Sequence, residues 1–266
     1  MLRVTQSLSE AGGKENEDRI WHNDSVFVVL DGSTSLNNSQ YTSSWFNDVF
    51  LQGFTGSISK GEALADAINA GILTAREQYV TPKELDALPP SAAGIFVQEI
   101  GNQIEVLTIG DCTGLFFMSD GEYIKIYDKG VSRLDDAVLN ECVQLREKTG
   151  KSISELMKTE QIREHLVANR KLMNHPNGYR ILTPDMPLGD FGKKYTFPAE
   201  KLRRIVLFSD GFDLMEDKFH APSFSLKELY KELRYIEQSA SSFDSIPRFK
   251  ISDDASAIVA EYVQTE

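Results

Sequence analysis

Val26-Phe27-Val28-Val29-Leu30 runs straight into Asp31-Gly32, and Ile205-Val206-Leu207-Phe208-Ser209 runs into Asp210-Gly211. A short apolar run rich in β-branched and aromatic residues is the signature of a buried strand. An ionised aspartate at its end is costly to bury unless it is paired or holds a metal. The glycine beside it lets the backbone turn sharply and approach a ligand closely. Because the construction occurs twice, it predicts two strand ends converging on one cation site. Glu17-Asp18, Asp111 and Asp253-Asp254 are further acidic points that fit the same picture.

Working outward, the chain before the first run reads as strands at Leu2–Ser9 and Arg19–Asn23, with a turn at Asn23-Asp24. Trp45, Phe46, Val49 and Phe50 recur at helical spacing within Gln40–Gln52. Leu64, Ala67, Ile68, Ile72 and Ala75 do so within Gly61–Tyr79. Pro89 and Pro90 close that helical region. Four strands then follow at Ala92–Ile100, Gln103–Ile109, Thr113–Met118 and Tyr123–Tyr127. The first two are joined by Gly101-Asn102 and the last two by Ser119-Asp120-Gly121. Asn or Asp beside Gly is a strong hairpin signal, so this stretch is expected to be one antiparallel meander. From about Leu134 to Asn174 the pattern turns helical and charged, an insertion between strands. Asn174–Gly178 is a loop. Strands resume at Tyr195–Phe197 and Arg203–Phe208, then a helix covers Ser225–Ser239 and a last strand Ala255–Val263.

With 266 residues, 41% of them hydrophobic, the chain can bury a sizeable single core; length allows one or two domains, and a single one over 1–266 is expected. Its 40 acidic and 28 basic residues leave a charge of −12. That balance is a poor match for nucleic-acid phosphates or an anionic membrane, and most of the acid is a solvated surface. It suits hard divalent cations, which take oxygen ligands. The two cysteines, Cys112 and Cys142, build neither a disulfide framework nor a zinc cluster, and the four histidines do not cluster at ligand spacing. Met1–Arg19 has no apolar signal-peptide core, and no apolar stretch approaches the roughly 20 residues that span a bilayer, so a soluble cytoplasmic protein is expected.

Carboxylates gathered at strand ends can hold one or two divalent cations. Such ions activate water and polarise a phosphoryl oxygen without any Ser, Cys or His nucleophile, and no nucleophilic triad is visible here. All-oxygen ligands favour Mg²⁺ or Mn²⁺ over zinc. A phosphate ester is the substrate whose charge such cations offset.

The order of these motifs resembles the metal-dependent type 2C protein serine/threonine phosphatase family. Asn16-Glu17-Asp18-Arg19 is similar to its N-terminal acidic motif, Asp31-Gly32 to its metal-bridging Asp-Gly, and Gly110-Asp111-Cys112 to its Gly-Asp-Ser. Ser209-Asp210-Gly211 is similar to its Ser-Asp-Gly, and Asp253-Asp254-Ala255-Ser256 to its Asp-Asn-x-Thr. Each motif is short, but five in order across the chain are specific. The resemblance implies an α+β fold, a four-layer α-β-β-α sandwich of two antiparallel sheets, with the insertion at about 134–175 as a helical flap. It also implies two Mn²⁺ or Mg²⁺ ions and a third, weaker site. Asp31, with the Gly32 carbonyl, would bridge both ions. Asp210 and Asp253 would complete one shell, with Asp254 open to the same role by a one-residue slip. Glu17 and Asp18 would serve the other ion, and Asp111, shared with Asp210, the third.

Three departures stand out. Ser33 follows Asp31-Gly32 where the family often carries a histidine, which leaves protonation of the leaving group to water. Gly13 occupies the place of the phosphate-binding arginine, with Lys14 beside it as a point charge without the bidentate fork. Leu214 stands where a further aspartate often lies, with Asp213 one residue early. Two readings follow: an active phosphatase acting on phosphoserine and phosphothreonine in proteins, or a catalytically weak homologue that binds phosphoproteins. A phosphatase of small phosphorylated metabolites is a third.

Overall fold

A computed structural model of the chain describes residues 1–34, 40–81, 88–189, 192–239 and 250–263. The first quoted run is strand β3 (Val26–Gly32), and the second lies in β9 (Leu202–Phe208) and the residues just after it. The strands form two antiparallel sheets of five. One has the order β2-β3-β4-β5-β8, with β2 at Arg19–His22, β4 at Ala92–Ile100, β5 at Gln103–Ile109 and β8 at Lys193–Pro198. The other has the order β1-β10-β9-β6-β7, with β1 at Leu2–Glu10, β6 at Thr113–Met118, β7 at Tyr123–Ile126 and β10 at Ala255–Tyr262. The α+β class and the α-β-β-α layering that the family resemblance implies are what the molecule has.

The unbroken apolar runs follow from this layering. Side chains on a strand alternate between faces, and here both faces are covered. Val26, Val28 and Leu30 pack under helices α1 (Ser43–Ile58) and α2 (Leu64–Gln78), while Phe27 and Val29 fill the space between the sheets. In β9, Ile205 and Leu207 point into that central layer. Val206 and Phe208 pack on the opposite side, against α6 (Leu226–Gln238) and a 3-10 stretch at Asp210–His220. Each such side chain contributes about 1.5–3 kcal/mol on full burial, so polar alternation on either face would be destabilising.

Helix α1 begins at Ser43 rather than Gln40 because Thr42 caps it, its hydroxyl accepting from the Trp45 N–H (3.2 Å), and it runs on to Ile58. The single meander expected from Ala92 to Tyr127 is instead two hairpins in different sheets. β4 pairs with β5, but β6 pairs with β9 and β7. The switch occurs at Gly110, whose φ of +77° is accessible to glycine with little strain. It turns the chain from one sheet to the other and leaves Asp111 at the crossing.

Between β7 and β8 the chain makes helices α3 (Lys129–Thr149), α4 (Ile153–Leu156) and α5 (Glu160–Arg170). They share a small core of Val138, Cys142, Ile153, Leu156 and Ile162. Helicity begins before Leu134 because Asp128 caps α3, accepting from the Gly130 N–H (3.0 Å). Cys112 and Cys142 are free and buried. Among the described residues no helix is long and apolar enough to cross a membrane.

Candidate active site

The ends of β3 and β9 meet, as their sequences predict. The Asp210 backbone N–H donates to Asp31 Oδ2 (3.2 Å). The Ser209 hydroxyl donates to Asp18 Oδ2 (2.7 Å), and the Ser256 N–H donates to Ser209 Oγ (3.0 Å). Asp18, at the foot of β2, is thereby fixed to β9 and β10. Backbones crowd here: a Cβ on Gly211 would lie 1.9 Å from the Asp254 carbonyl oxygen, and one on Gly32 would lie 2.4 Å from that of Glu17. The two glycines allow close approach of one strand end to another as much as of a ligand.

Asp253 and Asp254 separate cleanly. Asp254 is buried and turns away from the cavity, its Oδ1 accepting from the Gly12 N–H (2.8 Å) and its Oδ2 from the Glu17 N–H (2.6 Å). It ties the N-terminal acidic motif to β10. Asp253 faces the cavity and accepts from Lys250 Nζ (2.6 Å).

That cavity, about 270 Å³, has Asp31, Gly32, Asp111, Asp210 and Asp253 on its sheet side and α3 and α5 on the other. Asp18 lies behind Asp31 and does not line it. Glu17 is half-buried beside Thr34 and also lies off its wall, and Lys14 is exposed and outside it. Three charged lining residues were not singled out from sequence: Lys250, Asp135 and Arg170. Lys250 stands three residues before Asp253, and Asp135 belongs to an acidic pair at the start of the insertion. Those were available signals. Nothing local marks Arg170.

The electrostatics are those of excess negative charge. Burial and then the neighbouring Asp210 push Asp31 and Asp111 well above the usual carboxylate range. Burial lifts Asp18 to about 7 against the hydrogen bond from Ser209, and burial with Asp210 lifts Asp135 to about 7. Burial would lower Lys250, but the Asp253 carboxylate outweighs it and raises the ammonium to about 12. One lysine and one arginine do not balance five lining aspartates.

An all-oxygen set that repels itself fits hard divalent cations. Among the described residues no three His, Cys, Asp or Glu side chains are drawn together tightly enough to hold an ion by themselves. The arrangement therefore suits ions that keep several of their waters and take one or two carboxylates each, as Mg²⁺ does.

The model of the protein phosphatase 2C family matches residues 9–241. The chain belongs to that family. Solved structures share its fold at low identity. A serine/threonine phosphatase of Mycobacterium tuberculosis, PstP/Ppp, is 18% identical with a TM-score of 0.52, covering 99% of each chain. The catalytic domain of PstP in complex with two manganese ions is 19% identical with a TM-score of 0.53, again covering 99% of each. Stp1 of Staphylococcus aureus is 12% identical with a TM-score of 0.54, covering 98% of this chain and 96% of its own. No curated protein sequence matches the chain at a significant level. The protein is a phosphatase by family, and the roles of its residues rest on the geometry above.

Proposed function

We propose that this phosphatase hydrolyses phosphoserine and phosphothreonine in proteins, using two divalent cations, Mg²⁺ or Mn²⁺, in a single domain that acts in the cytoplasm. The observation that carries the reading is the junction of Asp31 with Asp210 at the floor of a cavity whose lining has five aspartates and two cationic side chains. Asp31 and the Gly32 carbonyl would contact both ions, Asp210 and Asp253 one, and Asp18 with Glu17 the other. Asp111 with Asp210 is the place for a weaker third. Two free, buried thiols agree with a reducing compartment.

Bound cations would supply a water acidic enough to attack at neutral pH and positive charge on the phosphoryl oxygens. The chain's own contribution is positional. Ser209 holds the Asp18 carboxylate behind the cavity wall, and the Asp210 N–H holds that of Asp31 on the wall itself. Lys250 holds Asp253 in one orientation. Helices α3 and α5 of the insertion form the wall opposite the carboxylates, and this apolar surface strengthens charge interactions beside it. Ser33 offers no acid at neutral pH, so the leaving hydroxyl takes its proton from solvent.

The test is hydrolysis of p-nitrophenyl phosphate and of a phosphothreonine peptide with Mn²⁺, with Mg²⁺ and with chelator, beside Asp210→Ala. Metal-dependent turnover that falls roughly 10³-fold or more in the variant supports the reading. Metal binding without turnover of any phosphate ester would replace it with the catalytically weak, phosphoprotein-binding alternative. Turnover of small phosphorylated metabolites but of no phosphopeptide would reassign the substrate.

A further inference from the structure

Two departures from the family's pattern, Ser33 after Asp31-Gly32 and the missing arginine at position 13, meet in one contact. Arg170, the last residue of α5, reaches down from the helical insertion to the residues that follow β3. Its Nη1 donates to Ser33 Oγ (3.2 Å) and its Nη2 to the Thr34 carbonyl (3.1 Å). The Ser33 hydroxyl is itself held, lying 3.0 Å from the Ser91 carbonyl and 2.5 Å from Ser91 Oγ. The guanidinium is thus anchored through neutral groups to the end of β3, on the wall of the cavity that contains Asp31, Asp111 and Asp210.

The cavity has two cationic side chains among its described lining, and they are not equivalent. Lys250 is spent on Asp253 at 2.6 Å. Arg170 donates to a hydroxyl and a carbonyl, so its positive charge is not cancelled by its hydrogen-bond partners. It opposes the rise of Asp135 and of Tyr179 nearby, which places its field inside the cavity. Lys14, the residue next to the family's arginine position, is exposed and off the wall. A phosphate dianion entering a cavity of five aspartates needs a fixed cation besides any metal, and the planar fork of arginine suits phosphate oxygens.

We propose that Arg170, delivered by the helical insertion, is the phosphate-binding residue of this enzyme, and that Ser33 is its positioning residue. The inference deepens the phosphatase reading and rests on it for the identity of the ligand. On this view the loss of arginine at position 13 and the gain of serine at position 33 are one change: the phosphate-binding cation has moved from the N-terminal motif to the flap. The flap is then part of the substrate site.

The experiment uses the full chain with Mg²⁺ and inorganic phosphate as the probe. Phosphate binding is measured directly by calorimetry and as competitive inhibition of p-nitrophenyl phosphate turnover. Metal affinity and the thermal midpoint are followed in parallel. In Arg170→Ala, KM and the phosphate constants rise roughly 10–100-fold while kcat changes less, metal affinity is kept, and the protein stays folded. Arg170→Lys recovers part of the loss, as a point charge replacing a fork does. Arg170→Gln, which keeps a donor for Ser33 without the charge, recovers little, and this separates charge from packing if the alanine variant folds poorly. Ser33→Ala gives a smaller loss in the same constants. The inference is overturned if a folded Arg170 variant keeps wild-type phosphate binding, or if Lys14→Ala removes it instead. Should the wild type bind phosphate through Arg170 yet turn nothing over, the assignment of Arg170 stands and the catalytic reading fails. Normal turnover with phosphate binding indifferent to Arg170 leaves the catalytic reading standing and overturns the assignment.

Discussion

Asp253 and Asp254 share a peptide bond but face in opposite directions, and their substitutions are expected to separate stability from activity. Asp254 receives two backbone N–H groups, from Gly12 and Glu17, in a buried position. Asp254→Ala leaves both donors unpaired, so urea unfolding should show a loss of about 2–4 kcal/mol, while Asp254→Asn, which keeps one acceptor oxygen, loses about half as much. Asp253 is more open and pairs with Lys250. Asp253→Asn should cost under about 1 kcal/mol of stability, since partly exposed pairs contribute little, yet greatly reduce metal-dependent turnover. Equal stability losses in Asp254→Asn and Asp253→Asn would contradict this division. Sequence alone left the two aspartates open, because a one-residue slip is invisible without the backbone that chooses between them. Asp31 and Asp210 were legible for the opposite reason: each ends an apolar run, and burial at such a point demands a partner. Arg170 had no such mark, since its meaning depends on where an inserted helix comes to lie.

At the level of elements, local pattern predicted nearly every strand, and it failed where neighbours in sequence part in space. The hairpins at Gly101-Asn102 between β4 and β5 and at Asp120-Gly121 between β6 and β7 are both present. The step between β5 and β6 looked like another turn of the same meander and is a change of sheet. Sheet membership is decided by β9, which pairs with β6 from far along the chain, and no local spacing encodes that. The 3-10 stretch after Asp210 was missed although Phe212, Met215 and Phe219 carry a helix-like apolar spacing, because the Asp-Gly start reads as a turn. Helices α3, α4 and α5 rest on a far smaller core than the sheets do. Ile162→Ala should therefore open the insertion locally: amide exchange in α4 and α5 should rise at least about tenfold, with β3 and β9 unchanged. In contrast, Phe50→Ala removes a ring packed among Phe46, Phe54 and Phe96, and should destabilise the whole molecule by about 3–5 kcal/mol. Global unfolding by Ile162→Ala, with all amides losing protection together, would show that the insertion is not a separate cooperative unit.

Over the whole molecule, the site opposes its own fold unless something balances it. Asp18 and Asp135 are lifted to about 7, and Asp31 and Asp111 higher than their usual range, all first by burial. Their unfolded-state values lie near the ordinary aspartate value of about 3.9, so the folded chain binds more protons than the unfolded chain between those limits. Stability from these groups is complete below about pH 4 and is lost as pH rises through about 7 and beyond. This is the reverse of the ion-paired Asp or Glu. The exposed carboxylates that are lowered, such as Glu141 beside His165, weigh little against it. The chelated protein should therefore melt several degrees lower at about pH 8 than at about pH 5.5. Divalent cations replace the protons that neutralise the cluster, so the gain in melting temperature from Mn²⁺ should be larger at the higher pH. Asp18→Asn removes one titrating charge and keeps an acceptor for Ser209, so the chelated variant should melt higher than wild type at about pH 8 and show a shallower pH slope. Thermal melts at the two pH values, with chelator and with Mn²⁺, read all of this at once. A chelated wild type that grows more stable toward about pH 8, with an Asp18→Asn variant following the same curve, would mean that the carboxylates are already balanced within the protein and that its charge does not call for cations.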